Sequence, residues 1–514
     1  MHLIAAATLT LLASTTLAAS TQEKIVRTPI IRNPHLGNPL EEARKKYNLI
    51  TKRQQLDKRA EHNAPLYNDQ GSQYLVQVGI GTPAQNFTVT LDTGSSDLWV
   101  PSTQCPQSNC PFYRFDPSKS STLKQLNAPF AIQYGIGSVN GTYYTDTVTV
   151  GGATVQNQQF GLASMTEDIM QADPSAGGPG SSAPDSYNTS SNQNVEGNGI
   201  LGLGYPGLTQ ANSQGEGAYN PFVFNLVAQN IISDPIFSIF LNSVSETGWS
   251  GEIIFGGIDD SKFDGNLTYL PVASLTTRSS GSTSSRQSSS TNSSQANYYY
   301  WMVYGQGLGV TNSNTGSNPS WRLRELGAFI LDTGTTLTYL PASVATDIVT
   351  AFAGERNFAY DRQSGVFIVD CNTAKSPARF ELQMSQSNRI SSNPLVLSVP
   401  ASELVIPIDS NTADSASVCM FGIAPLSGSG GVGNNLYLVG DSVLRSAYMV
   451  FDMGQNRVGI AATKKTGGAV SLGNSSRSSI SSSAGNTIDY HSFTHVTITS
   501  SLALFAIALI MNAF

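Results

Sequence analysis

Short apolar runs rich in β-branched residues recur along most of the chain, and their alternation predicts strands rather than helices. Phe87–Leu91 alternates in this way and runs directly into the Asp-Thr-Gly turn Asp92–Gly94. The same order returns about 240 residues later, where an apolar run from Ala328 ends in Asp332–Gly334, again Asp-Thr-Gly. A carboxylate behind an apolar strand is costly to bury unless it is paired or hydrogen-bonded. The repeat therefore predicts two similar β-rich lobes that each offer one carboxylate, and two unrelated turns are the alternative.

The N-terminus begins with an apolar run, Leu3–Leu17, which is followed by the small residues Ala18-Ala19-Ser20. This order predicts a secretory signal peptide over residues 1–19, although no Lys or Arg precedes the apolar run. A short membrane anchor is the alternative interpretation of the same segment.

Three stretches are too polar to form a packed core. Asp168–Asn198 and Ser274–Asn297 are rich in Gly, Ser, Thr and Asn, lack periodicity and predict surface loops. Residues 466–486 are Ser/Gly-rich and predict a flexible stalk.

The C-terminus has the order of a glycosylphosphatidylinositol (GPI) anchor signal. The small residues Ser483–Gly485 precede a polar spacer, Thr487–His495, and an apolar end, Val496–Phe514. We therefore expect residues 487–514 to be removed and the lipid to be attached near Ser483–Gly485. A single-pass transmembrane helix is the alternative, but no Lys or Arg follows the apolar end as a stop.

Charge is distributed unevenly along the 514 residues. Ser20–Arg59 holds ten Lys/Arg and four Asp/Glu, which gives a net charge of +6. The rest of the chain holds 18 Lys/Arg and 31 Asp/Glu, which gives a net charge of −13. Such an acidic body is a poor nucleic-acid binder. The basic segment contains Lys52-Arg53 and Lys58-Arg59, which suit a kexin-like processing protease, and predicts a prosegment over residues 20–59. A solvated charge run is the alternative.

Four cysteines form two plausible pairs, Cys105 with Cys110 and Cys371 with Cys419. Behind a secretory signal, disulfides are favoured over a metal site, and no C-x-x-C spacing is present. Six N-x-S/T sequons predict glycosylation, at Asn86, Asn140, Asn188, Asn266, Asn292 and Asn474.

The chain from Tyr74 to Ala462 resembles the pepsin-like aspartic proteases. The two Asp-Thr-Gly turns carry the resemblance, and Tyr74–Pro83, Ile200–Pro206 and Phe451–Ala462 extend it. It implies an all-β, bilobal fold with the active site between an N-terminal lobe, residues 60–258, and a C-terminal lobe, residues 259–465. With its predicted anchor and dibasic sites, the chain is similar to the yapsin-like GPI-anchored fungal subgroup of this family.

The resemblance also implies roles for individual residues. Asp92 and Asp332 would be the catalytic pair, and Ile132–Gly141 would be the flap that covers the substrate. The residues implied to support the pair are Thr93, Gly94, Ser95, Thr333, Gly334 and Thr335. Tyr134 and Gly135 would belong to the flap, with Trp99 as the neighbour of Tyr134. Lys46 and Tyr47 of the prosegment would plug the cleft.

Two neighbouring carboxylates cannot both ionise cheaply, so they share one proton and can activate a water molecule while protonating the substrate. The sequence thus predicts an aspartic endopeptidase of proteins and peptides, made as a zymogen, active in acid, monomeric and free of metal or cofactor. A catalytically idle cell-wall or binding protein on the same fold is the alternative. A serine hydrolase is disfavoured because no G-x-S-x-G is present.

Overall fold

The computed structural model of the chain describes residues 26–32, 73–134, 137–170, 197–246, 248–274, 298–426, 435–473 and 486–487. Strands dominate these residues. In chain order, β1 to β13 are Val26–Arg32, Tyr74–Ile80, Gln85–Asp92, Leu98–Pro101, Lys124–Gln133, Ser138–Val150, Ala153–Glu167, Ile200–Gly202, Ile236–Phe240, Gly248–Phe255, Phe263–Pro271, Met302–Thr311 and Ser320–Leu331. The second half continues with β14 to β26, which are Thr338–Pro341, Phe358–Asp361, Val366–Val369, Arg379–Met384, Leu395–Pro400, Val405–Pro407, Cys419–Phe421, Ile423–Leu426, Leu436–Val439, Ala447–Asp452, Arg457–Thr463, Ala469–Leu472 and Asn486–Thr487.

The helices are few and short. In chain order, α1 to α5 are Gln210–Ser213, Phe222–Ala228, Ala342–Ala353, Ala401–Leu404 and Asp441–Leu444. Single 3₁₀ turns cover Pro117–Lys119, Pro206–Leu208, Asp260–Lys262 and Cys371–Lys375. The longest helix, α3, starts after Pro341 and ends where Gly354 adopts a positive φ of 90°, a conformation that costs glycine little.

Three sheets organise the described residues. One sheet has thirteen strands in the order β11-β24-β23-β9-β10-β1-β2-β3-β8-β4-β7-β6-β5. A second has the order β21-β14-β22-β13-β12-β17-β18-β25, with β26 on β13, and a third has the order β15-β16-β20-β19. The prediction of an all-β fold with two β-rich lobes is therefore confirmed. The lobe boundary between residues 258 and 259 stays a prediction, and the thirteen-stranded sheet contains strands from both sides of it.

Alternating side chains explain why these segments form strands at the centre of the molecule. In β2, Val76, Val78 and Ile80 are buried and alternate with the partly exposed Gln77 and Gly79, whereas Tyr74 and Leu75 at its start are both buried. A strand with this period buries one face against the core. The strand pairs with β3, with Leu75 opposite Thr90, so the core directly supports the strand that ends in Asp92.

Three strands lie where the sequence predicted none. Within or next to the predicted stalk, residues 466–486, Ala469–Leu472 pairs with β18 and Asn486–Thr487 pairs with β13. Val26–Arg32, within the predicted prosegment, pairs antiparallel with β10 over its whole length, and its last two residues also pair with Tyr74 and Leu75 of β2. The segment thus occupies a central position in the thirteen-stranded sheet. Its local signal is a seven-residue run containing a proline, which is weak evidence for a strand before the partners are known.

Both predicted disulfides are confirmed. Cys105 bonds Cys110 beside the first carboxylate loop, and Cys371 bonds Cys419 in the second half. Among the six sequons, Asn86, Asn140 and Asn266 lie on exposed positions, and Asn188, Asn292 and Asn474 lie outside the described residues. No helix in the part of the chain that the structure describes is long and apolar enough to cross a membrane.

Candidate active site

The two Asp-Thr-Gly turns lie together, each at the end of a strand. Strand β3 ends at Asp92 and β13 ends at Leu331, immediately before Asp332. Each of these strands has a parallel neighbour on one side, β8 behind the first turn and β22 behind the second. The two halves thus present their carboxylates from equivalent positions, as the repeated sequence predicts.

Two glycines allow those parallel neighbours to pass close behind the turns. A Cβ on Gly202, in β8, would lie 2.5 Å from the Asp97 nitrogen. A Cβ on Gly440, just after β22, would lie 2.3 Å from the Leu337 oxygen. Both distances are shorter than real Cβ atoms show, so each position requires glycine.

Two threonines join the turns across the boundary between the halves. The Thr93 hydroxyl donates to the Leu331 carbonyl at 2.6 Å, and the Thr333 hydroxyl donates to the Leu91 carbonyl at 2.8 Å. Each hydroxyl also accepts the backbone N–H of the other threonine, at 3.0 and 3.2 Å. Four buried hydrogen bonds therefore fix the position of one turn relative to the other.

The glycines of the two turns have a double role in the geometry. The Gly94 amide donates to Asp92 Oδ1 and the Gly334 amide donates to Asp332 Oδ1, each at 2.8 Å. A Cβ on Gly94 would lie 2.5 Å from Asp332 Oδ1, and a Cβ on Gly334 would lie 2.4 Å from Asp92 Oδ1. The absence of a side chain at both glycines is what lets the carboxyl groups approach each other.

Hydroxyl groups hold the outer oxygen of each carboxyl group. Ser95 donates to Asp92 Oδ2 at 2.5 Å, and Thr335 donates to Asp332 Oδ2 at 2.6 Å. Asp92 is 7% exposed and Asp332 is 5% exposed, so both are nearly removed from bulk water while one edge stays accessible. The pair is therefore buried and held by hydrogen bonds to both oxygens of each carboxyl group.

Burial is the main cause of the raised pKa of Asp92. Burial, followed by the charge of Asp332, raises the pKa of Asp92 to about 7, although the bonds from Ser95 and Gly94 act in the opposite direction. The neighbouring carboxyl group of Asp332 disfavours a negative charge at Asp92. One proton is therefore retained by the pair well above the pH at which an isolated Asp loses it.

A hairpin of β5 and β6 lies beside the pair. Tyr134, at its tip, accepts a hydrogen bond of 2.9 Å from the indole Nε1 of Trp99. Burial, followed by the charges of Asp92 and Asp97, raises the pKa of the Tyr134 hydroxyl well above its ordinary value. Gly135, the other predicted flap residue, lies outside the described residues.

Tyr300 is a site residue that the sequence analysis missed. It is 3% exposed, and burial followed by the charges of Asp332 and Asp92 raises its pKa. Tyr300 lies two residues before β12, and its hydroxyl is within the electrostatic influence of both carboxyl groups. Its only sequence signal is the aromatic run Tyr298–Trp301, which also suits an ordinary strand.

Some predicted sites cannot be located. Lys46, Tyr47 and the attachment region Ser483–Gly485 lie outside the described residues. Among the residues that are described, no group of three His, Cys, Asp or Glu side chains is placed to hold a metal ion.

A two-lobed β fold that presents paired, hydrogen-bonded carboxyl groups defines the aspartic class of peptidase. A family model described as eukaryotic aspartyl protease matches residues 73–463. The chain therefore belongs to this family, the pepsin-like family that its sequence resembles, and it is an aspartic endopeptidase.

Curated relatives span both fungal and animal enzymes. Mucorpepsin from Rhizomucor miehei is 34% identical over 394 residues, which cover 76% of this chain and 78% of that protein. Cathepsin E from Rattus norvegicus is 32% identical over 400 residues, which cover 78% and 82%. Secreted aspartic protease 3 from Candida albicans is 32% identical over 414 residues, which cover 78% of this chain and 82% of that protein.

Proposed function

We propose that Asp92 and Asp332 are the catalytic pair of this endopeptidase. The observation that carries the proposal is the joint burial of two carboxyl groups whose turns the threonine bonds fix in place. Burial and the charge of Asp332 raise the pKa of Asp92 there. The ionised member takes a proton from water as the water attacks the peptide carbonyl, and the protonated member donates to the carbonyl oxygen. Both steps use protein carboxyl groups and water only.

Incubation with a denatured protein in acid, with and without pepstatin, tests this function. It distinguishes an active endopeptidase from a catalytically idle protein on the same fold. An active enzyme releases peptides and is blocked by pepstatin. Binding of the denatured protein without cleavage would favour the idle alternative.

Activity in acid is part of the proposal and follows from the pKa of Asp92. Because this pKa is raised to about 7, the shared proton is present below that pH and is lost as the pH rises through it. We therefore expect kcat/KM to fall above about pH 7. Ser95→Ala removes a bond that lowers the pKa of Asp92, so the upper limb of the pH profile should move upward by roughly half a pH unit.

Ser96→Ala is the matched control for that experiment. The Ser96 hydroxyl donates to the Tyr205 carbonyl at 2.8 Å, so its loss removes a neighbouring bond without touching the pair. An upper limb that stays in place in Ser95→Ala, or that moves equally in both variants, would contradict the proposed link.

Synthesis as a secreted zymogen is also proposed. The support is the predicted signal peptide, the net +6 charge of Ser20–Arg59 opposite a body of −13, and the strand Val26–Arg32 within the sheet. A kexin-like enzyme would cut at Lys52-Arg53 or Lys58-Arg59, leaving a mature chain that starts near Ala60. The printed name of the Candida albicans relative describes that protein as secreted.

We propose further that the mature enzyme is a monomer held at the cell surface by a lipid, as in the yapsin-like subgroup. The support is the order of stalk, small residues, spacer and apolar end at residues 466–514. Phosphatidylinositol-specific phospholipase C should then release most of the membrane-bound activity, and mass spectrometry of the mature protein should find no peptide from Val496–Phe514. Detection of that peptide on membrane-bound enzyme would establish a transmembrane helix instead.

A further inference from the structure

A second buried carboxyl group lies five residues after Asp92, outside the catalytic pair. Asp97 is 2% exposed. Its Oδ1 accepts hydrogen bonds from the hydroxyls of Tyr143 and Tyr219, each at 2.7 Å, and its Oδ2 accepts the Gln210 N–H at 2.8 Å. All three donors are neutral, so the cost of burying the carboxylate is offset by hydrogen bonds rather than by a counter-charge.

The first donor belongs to the flap hairpin. Tyr143 lies on β6, and its ring packs edge-on against Phe130 of β5, with ring centroids 5.1 Å apart. The residue therefore contacts both strands of the hairpin. A bond from its hydroxyl to Asp97 fixes the base of the flap.

The flap is consequently held at two points on one short segment. Trp99 bonds Tyr134 at the tip, and Asp97, two residues earlier, bonds Tyr143 at the base. The carbonyl of Asp97 accepts the Gly202 N–H at 3.0 Å, and Gly202 pairs with Asp92 in the adjoining strands. Both anchors of the flap therefore share a backbone framework with the first catalytic carboxyl group.

The other two donors come from a segment that also reaches the flap. Gln210 begins α1 and Tyr219 follows it, and the Tyr219 ring lies edge-on to Tyr143, with centroids 5.8 Å apart. The Ala211 N–H donates to the Tyr143 hydroxyl at 3.1 Å. Asp97 thus joins three elements, which are the strand after the catalytic loop, the flap and residues 210–219.

We propose that Asp97 is a positioning residue for peptide hydrolysis, which fixes the base of the flap and residues 210–219 relative to Asp92. An acceptor-only side chain is required there, because two hydroxyls and one amide converge on its two oxygens. Asn would keep one oxygen but direct an NH₂ group at the Gln210 N–H. This inference rests on the proposed role of Asp92 and on the assignment of the hairpin as the flap.

Asp97→Asn should lower kcat by about ten- to a hundredfold, because small displacements of groups around the reacting centre have effects of that size. Asp146→Asn is the matched control. Asp146 is also buried in the first sheet, and its carboxylate accepts the Ser120 and Thr122 hydroxyls and the Thr147 N–H, but it lies on β6 far along the strand from the flap tip. We expect a similar loss of thermal stability in both variants and a kcat within about twofold of wild type in the control.

A double-mutant cycle tests whether the effect passes through the observed bonds. Tyr219→Phe alone should lower kcat by about threefold, and in the Asp97→Asn background it should lower kcat no further. If Asp97→Asn does not fold, Tyr143→Phe and Tyr219→Phe decide the question, and losses of about threefold in both support the proposal.

Three results would overturn the proposal. They are a kcat of Asp97→Asn equal to that of Asp146→Asn at a temperature where both are folded, independent effects in the cycle, or unchanged kcat in both tyrosine variants. Failure of the catalytic assignment is separate, because it would appear as retained activity in Asp92→Asn whatever Asp97 does.

Discussion

Asp92→Asn and Asp332→Asn should each reduce kcat by roughly a thousandfold or more, while the protein stays folded. The loss is expected to be equally severe in the two variants because the carboxyl groups act as one proton-sharing unit. Folding should survive, since the amide oxygen can still accept the Gly94 or Gly334 N–H, and the amide NH₂ can donate to the adjacent hydroxyl, which can rotate to accept. Cleavage of a peptide substrate measures the loss of kcat, and thermal unfolding of each variant measures whether the protein stays folded.

Asp116→Asn provides a control on a partly exposed turn of the first half, where the carboxylate accepts bonds from the Ser118 N–H and hydroxyl. Its kcat should match that of the wild type. Residual activity above about a tenth of wild type in either variant of the pair would remove that residue from the proposed mechanism.

A precursor with both dibasic sites blocked should be at least roughly a hundredfold less active at neutral pH than the mature enzyme, because a tethered inhibitor acts at an effective concentration in the millimolar range. The structure supports a plug from the prosegment. Arg32, at the end of β1, pairs with Tyr74, and the next residue of β2 pairs with Thr90, two residues before Asp92. Arg32 therefore lies two strands, about 10 Å, from the strand that carries the first carboxyl group.

Lys46 lies 14 residues beyond Arg32, and an extended segment of that length spans up to about 50 Å, so an ammonium group can reach the pair. We expect Lys46→Ala in the blocked precursor to restore more activity at neutral pH than Lys45→Ala, its matched control. Equal activities of the two variants, with the unmodified precursor fully active, would exclude Lys46 from the active site.

The sequence was sufficient to predict the parts of the site that depend on local chemistry. An Asp-Thr-Gly turn behind an apolar strand specifies its own hydrogen bonds, because the Gly94 amide and Ser95 hydroxyl lie within three residues of Asp92. Its repetition specifies that two such turns exist. The resemblance to a family then supplied the one non-local fact needed, that the turns face each other.

Features that depend on distant partners were not predicted. Asp97 lies in the same sequence motif as Asp92, but its role depends on hydrogen bonds from Tyr143 and Tyr219, which are 46 and 122 residues away. The strand Val26–Arg32 likewise gains its structure from β10, more than two hundred residues later. Pairing over such separations is decided by the whole fold, and local patterns of residues carry little information about it.

The threonine bonds between the two turns also determine how the enzyme can deform. Thr93 and Thr333 join the halves at the carboxyl pair itself, so this point is where the halves are least free to separate. Any relative rotation of the halves that leaves these four bonds intact must therefore keep the spacing of the two carboxyl groups constant.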